Sequence, residues 1–114
     1  MILGIGTDIC RIERVETGLA RFGDRFLHRV LTPAEREGRW GARQLARRWA
    51  MKEAVAKATG WGIGAKLSFQ DIEIMRDDLG KPVCHLKGFE DCNVMVSVSD
   101  DGEYASGFAV IEKL

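Results

Sequence analysis

Ala42-Arg43-Gln44-Leu45-Ala46-Arg47-Arg48-Trp49-Ala50-Met51-Lys52-Glu53-Ala54-Val55-Ala56-Lys57-Ala58-Thr59-Gly60 reads as one long helix stopped by a glycine, where a left-handed cap costs little. Ala42, Ala46, Ala50, Ala54 and Ala58 recur every four residues and so share one face. A face without bulk lets the helix axis approach a sheet closely. Leu45, Trp49, Glu53 and Lys57 form the adjacent stripe, which places Glu53 at the border of the buried face. A ligand carboxylate belongs there. An ordinary Glu–Lys helix pair, worth a few tenths of a kcal/mol, is the plainer reading of the same spacing.

A sheet partner for this helix begins at residue 1. Met1-Ile2-Leu3-Gly4-Ile5-Gly6-Thr7-Asp8-Ile9 alternates, with Leu3, Ile5, Thr7 and Ile9 on one face and Gly4, Gly6 and Asp8 on the other. Glycine weakens a strand and marks close approach of a ligand or of another backbone, so the cleared face beside Asp8 receives either a bulky ligand or the helix itself. Asp8 and Glu53 are far apart in sequence, and two carboxylates with a lysine one turn beyond suit a Mg²⁺ ion held against a phosphate.

From Ile9 the period becomes helical: Ile9, Ile12, Val15 and Leu19 recur, Arg11, Arg14 and Arg21 point outward, and Gly23-Asp24 closes the segment. Phe22, Phe26 and Leu27 follow among arginines, a pattern open to core packing or to docking an acidic helix. Thr32-Pro33-Ala34-Glu35 carries a helix-start signature, so a short helix is expected there. After the loop Trp61-Gly62-Ile63-Gly64 the chain reads as strands. Phe69 to Met75 precedes a turn at Asp77-Asp78-Leu79-Gly80, Lys81 stands at its tip, and Pro82 to Leu86 returns; Val94, Val96 and Val98 lead through Asp101-Gly102 to Tyr104–Ile111. A strand, then helices, then antiparallel strands predicts an α+β fold, an antiparallel sheet packed against a long helix with shorter helices, over a single domain spanning 1–114.

The 17 basic and 17 acidic side chains balance, so net charge names no partner. Their distribution says more: residues 1–65 carry 12 basic against 7 acidic, and residues 66–114 carry 5 against 10. The first half therefore faces an anion: nucleic acid, a phosphorylated cofactor or an acidic protein. Cys10, Cys84 and Cys92 are odd in number and lack Cys-x-x-Cys spacing, which argues for reduced, packed thiols. No segment approaches the roughly 20 apolar residues of a membrane span, and a cytoplasmic protein is expected. His28 and His85 are isolated, and Ser97 and Ser99 have no neighbouring base, so neither a zinc site nor a serine nucleophile is indicated.

Taken together, Gly4-Ile5-Gly6-Thr7-Asp8-Ile9 with Arg14, and Arg48-Trp49-Ala50-Met51-Lys52-Glu53-Ala54-Val55-Ala56-Lys57-Ala58-Thr59-Gly60, resemble the two signatures of the holo-[acyl-carrier-protein] synthases, small 4′-phosphopantetheinyl transferases. Leu31-Thr32-Pro33-Ala34-Glu35, Gly80-Lys81-Pro82 and Ser97-Val98-Ser99 with Tyr104-Ala105 fall in the same family order, so the match spans the chain. The resemblance implies Mg²⁺-dependent transfer of phosphopantetheine from coenzyme A to a serine of apo acyl carrier protein. Asp8, Glu53 and Lys57 would be catalytic, with Asp8 and Glu53 on the metal. Arg48, Lys57, Gly80, Lys81 and Pro82 would hold the nucleotide, while Arg14, Arg21, Phe22, Arg25 and Phe26 would dock the carrier protein. It further implies a homotrimer with sites between subunits, and neither nucleic acid nor membrane as partner.

One position departs from the family: many members have His after the Ser-x-Ser, where this chain has Asp100. A carboxylate there repels phosphate unless it faces adenine or a metal. Two other readings compete. Arg36, Arg39, Arg43, Arg47 and Arg48 could serve a nucleic-acid-binding module, or the chain could bind a carrier protein without catalysis.

Overall fold

The long helix and the first strand do meet. The computed structural model describes residues 1–114. Strand β1 (Ile2–Arg11) is followed by α1 (Ile12–Phe22), α2 (Asp24–Val30), α3 (Ala42–Thr59), a single 3₁₀ turn at Phe69–Asp71, the hairpin strands β2 (Ile72–Arg76) and β3 (Pro82–Leu86), and the long hairpin β4 (Cys92–Asp101) and β5 (Tyr104–Lys113). One sheet has the antiparallel order β1-β5-β4, and β2 and β3 form a second, two-stranded sheet. The chain is α+β, as its sequence predicts.

Close packing of α3 decides the architecture. A Cβ built on Gly6 would stand 1.9 Å from the carbonyl oxygen of Ala54, one on Gly4 1.9 Å from that of Ala58, and one on Gly107 2.3 Å from that of Ala50. Helix backbone therefore rests on strand backbone, and the glycines of β1 receive the helix. Gly107, opposite Asp8 in the β1–β5 register, completes the glycine floor. Ala46, Ala50, Ala54, Val55, Ala56 and Ala58 are buried along α3, and Gly60 ends it at φ +88°.

Four local expectations are corrected. The helical period begins at Ile12 and not at Ile9, because β5 pairs with β1 through Arg11, leaving Ile9 outward and exposed. Asp24–Val30 is a separate helix, started after Gly23, whose φ of +56° breaks α1. No helix forms at Pro33. Thr32 Oγ1 accepts the Glu35 amide and Glu35 Oε1 accepts the Thr32 amide, so the reciprocal cap is made, but Glu35 is buried by tertiary partners and the chain stays in turns. Phe69, expected in a strand, belongs to the 3₁₀ turn and packs on Trp49 at 4.9 Å.

On the face of the sheet away from α3, Leu3, Ile5, Ile9, Met95 and Phe108 are exposed together. No helix is long and apolar enough to cross a membrane.

If the glycine floor sets the fold, Gly6→Ala destabilises by about 1–3 kcal/mol or more, the range for forced overpacking. Gly64→Ala, whose Cβ meets nothing within 4 Å, stays close to the parent. Urea unfolding of the two variants checks this; equal midpoints would remove the floor from the account.

Candidate active site

Asp8 lies on the α3 side of β1, two residues past Gly6, and α3 crossing the glycine floor brings Glu53 and Lys57 to the same edge. Lys57 Nζ donates to Asp8 Oδ1 at 3.0 Å, with the Asp8 side chain only 15% exposed and that of Lys57 51%. Such a half-exposed pair adds little to stability. Glu53 is half-buried; burial raises its carboxyl above the usual range, and the neighbouring Asp8 charge raises it further, against the opposing pull of Lys57 and Arg14. A half-buried Glu53 beside a second carboxylate holds its charge poorly alone, and a small hard cation relieves that crowding. No three His, Cys, Asp or Glu side chains gather anywhere, so a cation here takes the rest of its oxygen shell from water or substrate.

Beside the pair lies a small apolar recess of about 110 Å³, lined by Cys10, Arg14, Val15, Phe26 and Trp49. Burial, then the Asp8 charge, pushes the Cys10 thiol up, and burial pushes that of Cys84 up to about 12. Both thiols are free and stay protonated at neutral pH. Of the five expected docking residues, Arg14, Arg21, Phe22 and Arg25 are exposed on α1 and α2, with Arg21 over the Phe22 ring at 5.4 Å. Phe26 divides its surface. It stacks on Trp49 at 5.8 Å and abuts Gly18, while its outer edge lines a groove with Phe22, Arg25 and Arg29.

Of the expected nucleotide residues, Lys57 stands at this edge, whereas Arg48, Gly80, Lys81 and Pro82 do not converge on it. Gly80-Lys81-Pro82 closes the β2–β3 hairpin, which packs beside β4, whereas β1 is the opposite edge of the main sheet. The turn itself is well built: Asp77 Oδ1 accepts the amides of Leu79 and Lys81, Gly80 takes φ +82°, and Lys81 is exposed. Arg48 is buried. Its Nη1 donates to Glu35 Oε2 at 2.9 Å and its guanidinium lies 4.8 Å from the Trp40 ring centre. It still borders a cavity of about 560 Å³ lined with Trp40, Gln44, Arg39, Arg47 and Arg76.

Two features went unread in the sequence. Asp100 is clasped by α3: Arg43 Nη1 donates to Oδ2 at 2.7 Å, and Arg47 Nε stands 3.3 Å from Oδ1, misaligned for a hydrogen bond and without another partner. Two guanidiniums therefore face the Asp100 carboxylate and offset its charge. Lys52 is fully buried, its Nζ bonded to Glu35 Oε1 and to the carbonyls of Val30 and Phe69. Burial pulls the Lys52 ammonium and the Arg48 guanidinium down, and Glu35 opposes this in both. Removing one partner from such a buried pair costs about 3–5 kcal/mol. The Thr32-to-Glu35 cap signature was the available signal, and it reads identically whether or not Glu35 is recruited inward.

Residues 4–109 match the family model of the 4′-phosphopantetheinyl transferase superfamily. Holo-[acyl-carrier-protein] synthase of Vibrio cholerae is 42% identical over 99% of both chains, and that of a Geobacillus strain 42% identical over 100% of this chain and 99% of its own. A Bacillus anthracis holo-(acyl-carrier-protein) synthase, solved in complex with CoA (3′,5′-ADP), superimposes with a TM-score of 0.88 at 40% identity, covering 100% of this chain and 99% of that one. The Helicobacter pylori enzyme, solved with coenzyme A, gives 0.84 at 31%, covering 95% and 99%. A family model matched over residues 4–109 and 42% identity to such synthases from end to end place the chain in the 4′-phosphopantetheinyl transferase superfamily.

Proposed function

We propose that the chain is a holo-[acyl-carrier-protein] synthase: it moves 4′-phosphopantetheine from coenzyme A to a serine hydroxyl of apo acyl carrier protein and releases adenosine 3′,5′-bisphosphate, a step of fatty acid biosynthesis. The observation that carries this is the meeting of Asp8, Glu53 and Lys57 at one edge in a chain 42% identical to such synthases along its length. A Mg²⁺ ion held by Asp8 and Glu53 would supply charge neutralisation for the cleaved pyrophosphate. Lys57, half-exposed beside Asp8, reaches phosphate oxygens and steadies the charge that develops on them. The serine proton passes to Glu53 or to a water it holds.

Arg14, Arg21, Phe22, Arg25 and the outer edge of Phe26 form the docking face for an acidic carrier helix. Arg48 and the Gly80-Lys81-Pro82 turn serve the nucleotide. The distance of that turn from β1 within one chain supports a homotrimer in which neighbouring subunits complete each site, and the exposed apolar face of Leu3, Ile5, Ile9, Met95 and Phe108 supplies a surface for that association. A cytoplasmic location fits its free cysteines. A nucleic-acid module is less well supported: Arg36 donates to the Leu31 carbonyl, Arg43 and Arg47 face Asp100, and Arg48 holds Glu35, so these arginines form no free stripe.

Incubation with apo acyl carrier protein, coenzyme A and Mg²⁺ is expected to add one phosphopantetheine to the carrier by intact mass. EDTA abolishes the gain, and Glu53→Ala cuts the rate by more than about 100-fold, beyond the loss of an outer-shell partner. No gain from a folded chain that binds the carrier would establish the non-catalytic reading instead.

The crowded carboxylates also predict a stability effect. Because folding raises the Glu53 pKa, the ionised form is disfavoured in the metal-free fold, and that penalty is fully present only above the raised value. Glu53→Gln therefore melts higher than the parent at pH 7.5 in EDTA, and the difference shrinks as the pH falls through the Glu53 pKa. A variant that melts lower at pH 7.5 would contradict the crowding.

A further inference from the structure

The alanine stripe explains how deep α3 sits but not where along its axis it stops. Ala50, Ala54 and Ala58 rest over Gly107, Gly6 and Gly4 in succession. A repeating small-on-small contact is nearly indifferent to a slide of one turn or a modest rotation. Trp49, set between Phe26 and Phe69, fills volume without directional bonds. Register must come from contacts that do not repeat.

Glu35 supplies them. Its Oε2 accepts from Arg48 Nη1 at 2.9 Å and from the Ile74 amide at 2.9 Å; its Oε1 accepts from Lys52 Nζ at 2.5 Å and from the Thr32 amide at 2.8 Å. One buried carboxylate thus ties two successive turns of α3 to β2 and to the segment after α2. Lys52 extends the tie to the Val30 and Phe69 carbonyls. Lys52 immediately precedes Glu53, and Arg48 lies between one and two turns before it.

The geometry points to Glu35 as a positioning residue for the transfer: by holding Arg48, Lys52 and the Ile74 amide at once, it fixes the rotation and height of α3, and so the placement of Glu53 against Asp8. The role rests on the transferase reading for its consequence in rate, but its geometric part does not. It also assigns work to Thr32-to-Glu35 and to Lys52, neither of which touches the reacting groups.

The test separates positioning from bulk stability. Glu35→Gln alone leaves Lys52 buried and unpaired and can unfold the chain, so it is combined with Lys52→Met, which removes that charge. Glu35→Asp forms the second arm, keeping the charge on a shorter side chain. Folded fraction is read by cooperative melting, metal affinity by Mn²⁺ electron paramagnetic resonance, and kcat and carrier KM by mass-detected transfer. Each folded variant is expected to lose at least tenfold in kcat and fivefold in Mn²⁺ affinity, with carrier KM within twofold. A variant that folds as the parent does and keeps parental kcat and Mn²⁺ affinity overturns the assignment and leaves Glu35 a stabilising residue only. If the parent transfers nothing yet its Mn²⁺ affinity still depends on Glu35, positioning stands and the transferase reading falls.

Discussion

Backbone contact between α3 and the sheet is the constraint on which everything else here depends. A helix normally stands off a sheet by the length of its side chains. Here Gly4, Gly6 and Gly107 on one side and Ala50, Ala54 and Ala58 on the other leave no side chain thicker than a methyl between them. Close approach carries the flank of α3 to the edge where Asp8 emerges, bringing a carboxylate and an ammonium within reach of a strand residue about 50 positions away in sequence. A bulkier floor would lift the helix and dissolve the site while leaving each element intact.

The charges then divide into two systems with opposite logic. Glu35, Arg48 and Lys52 are buried and paired, with Glu35 and Lys52 fully hydrogen-bonded, as buried ions must be if they are not to destabilise. Asp8 and Glu53 are only partly buried and share a single lysine on the open side. Like charges crowded in that way are the physical signature of a candidate ligand site. Asp100 belongs to neither: two arginines of α3 face it and offset its charge.

Much of this was legible in the sequence. The alanine period and the terminal Gly60 located α3 to the residue, and alternation around Gly4 and Gly6 placed β1, since both signals are local and periodic. Asp8, Glu53 and Lys57 were found as a constellation because each stands at a fixed step from those patterns. What the sequence withheld was non-local. Whether the glycines faced a ligand or a helix depended on the sheet order, and Gly107 went unremarked because a glycine in a strand looks the same with or without a helix above it. The turn after Thr32 carries a helix signature that tertiary burial of Glu35 overrides. Lys52 reads as a surface lysine in an alanine-rich helix, and only the fold surrounds it with three oxygen acceptors.

Strand β1 and helix α3 together would create one cation site from Asp8 and Glu53. Anomalous diffraction from crystals grown with Mn²⁺ and coenzyme A tests it most directly. A manganese peak is expected in contact with carboxylate oxygens of both residues, with Lys57 displaced toward a phosphate. A well-ordered complex whose manganese lies away from either carboxylate would contradict it.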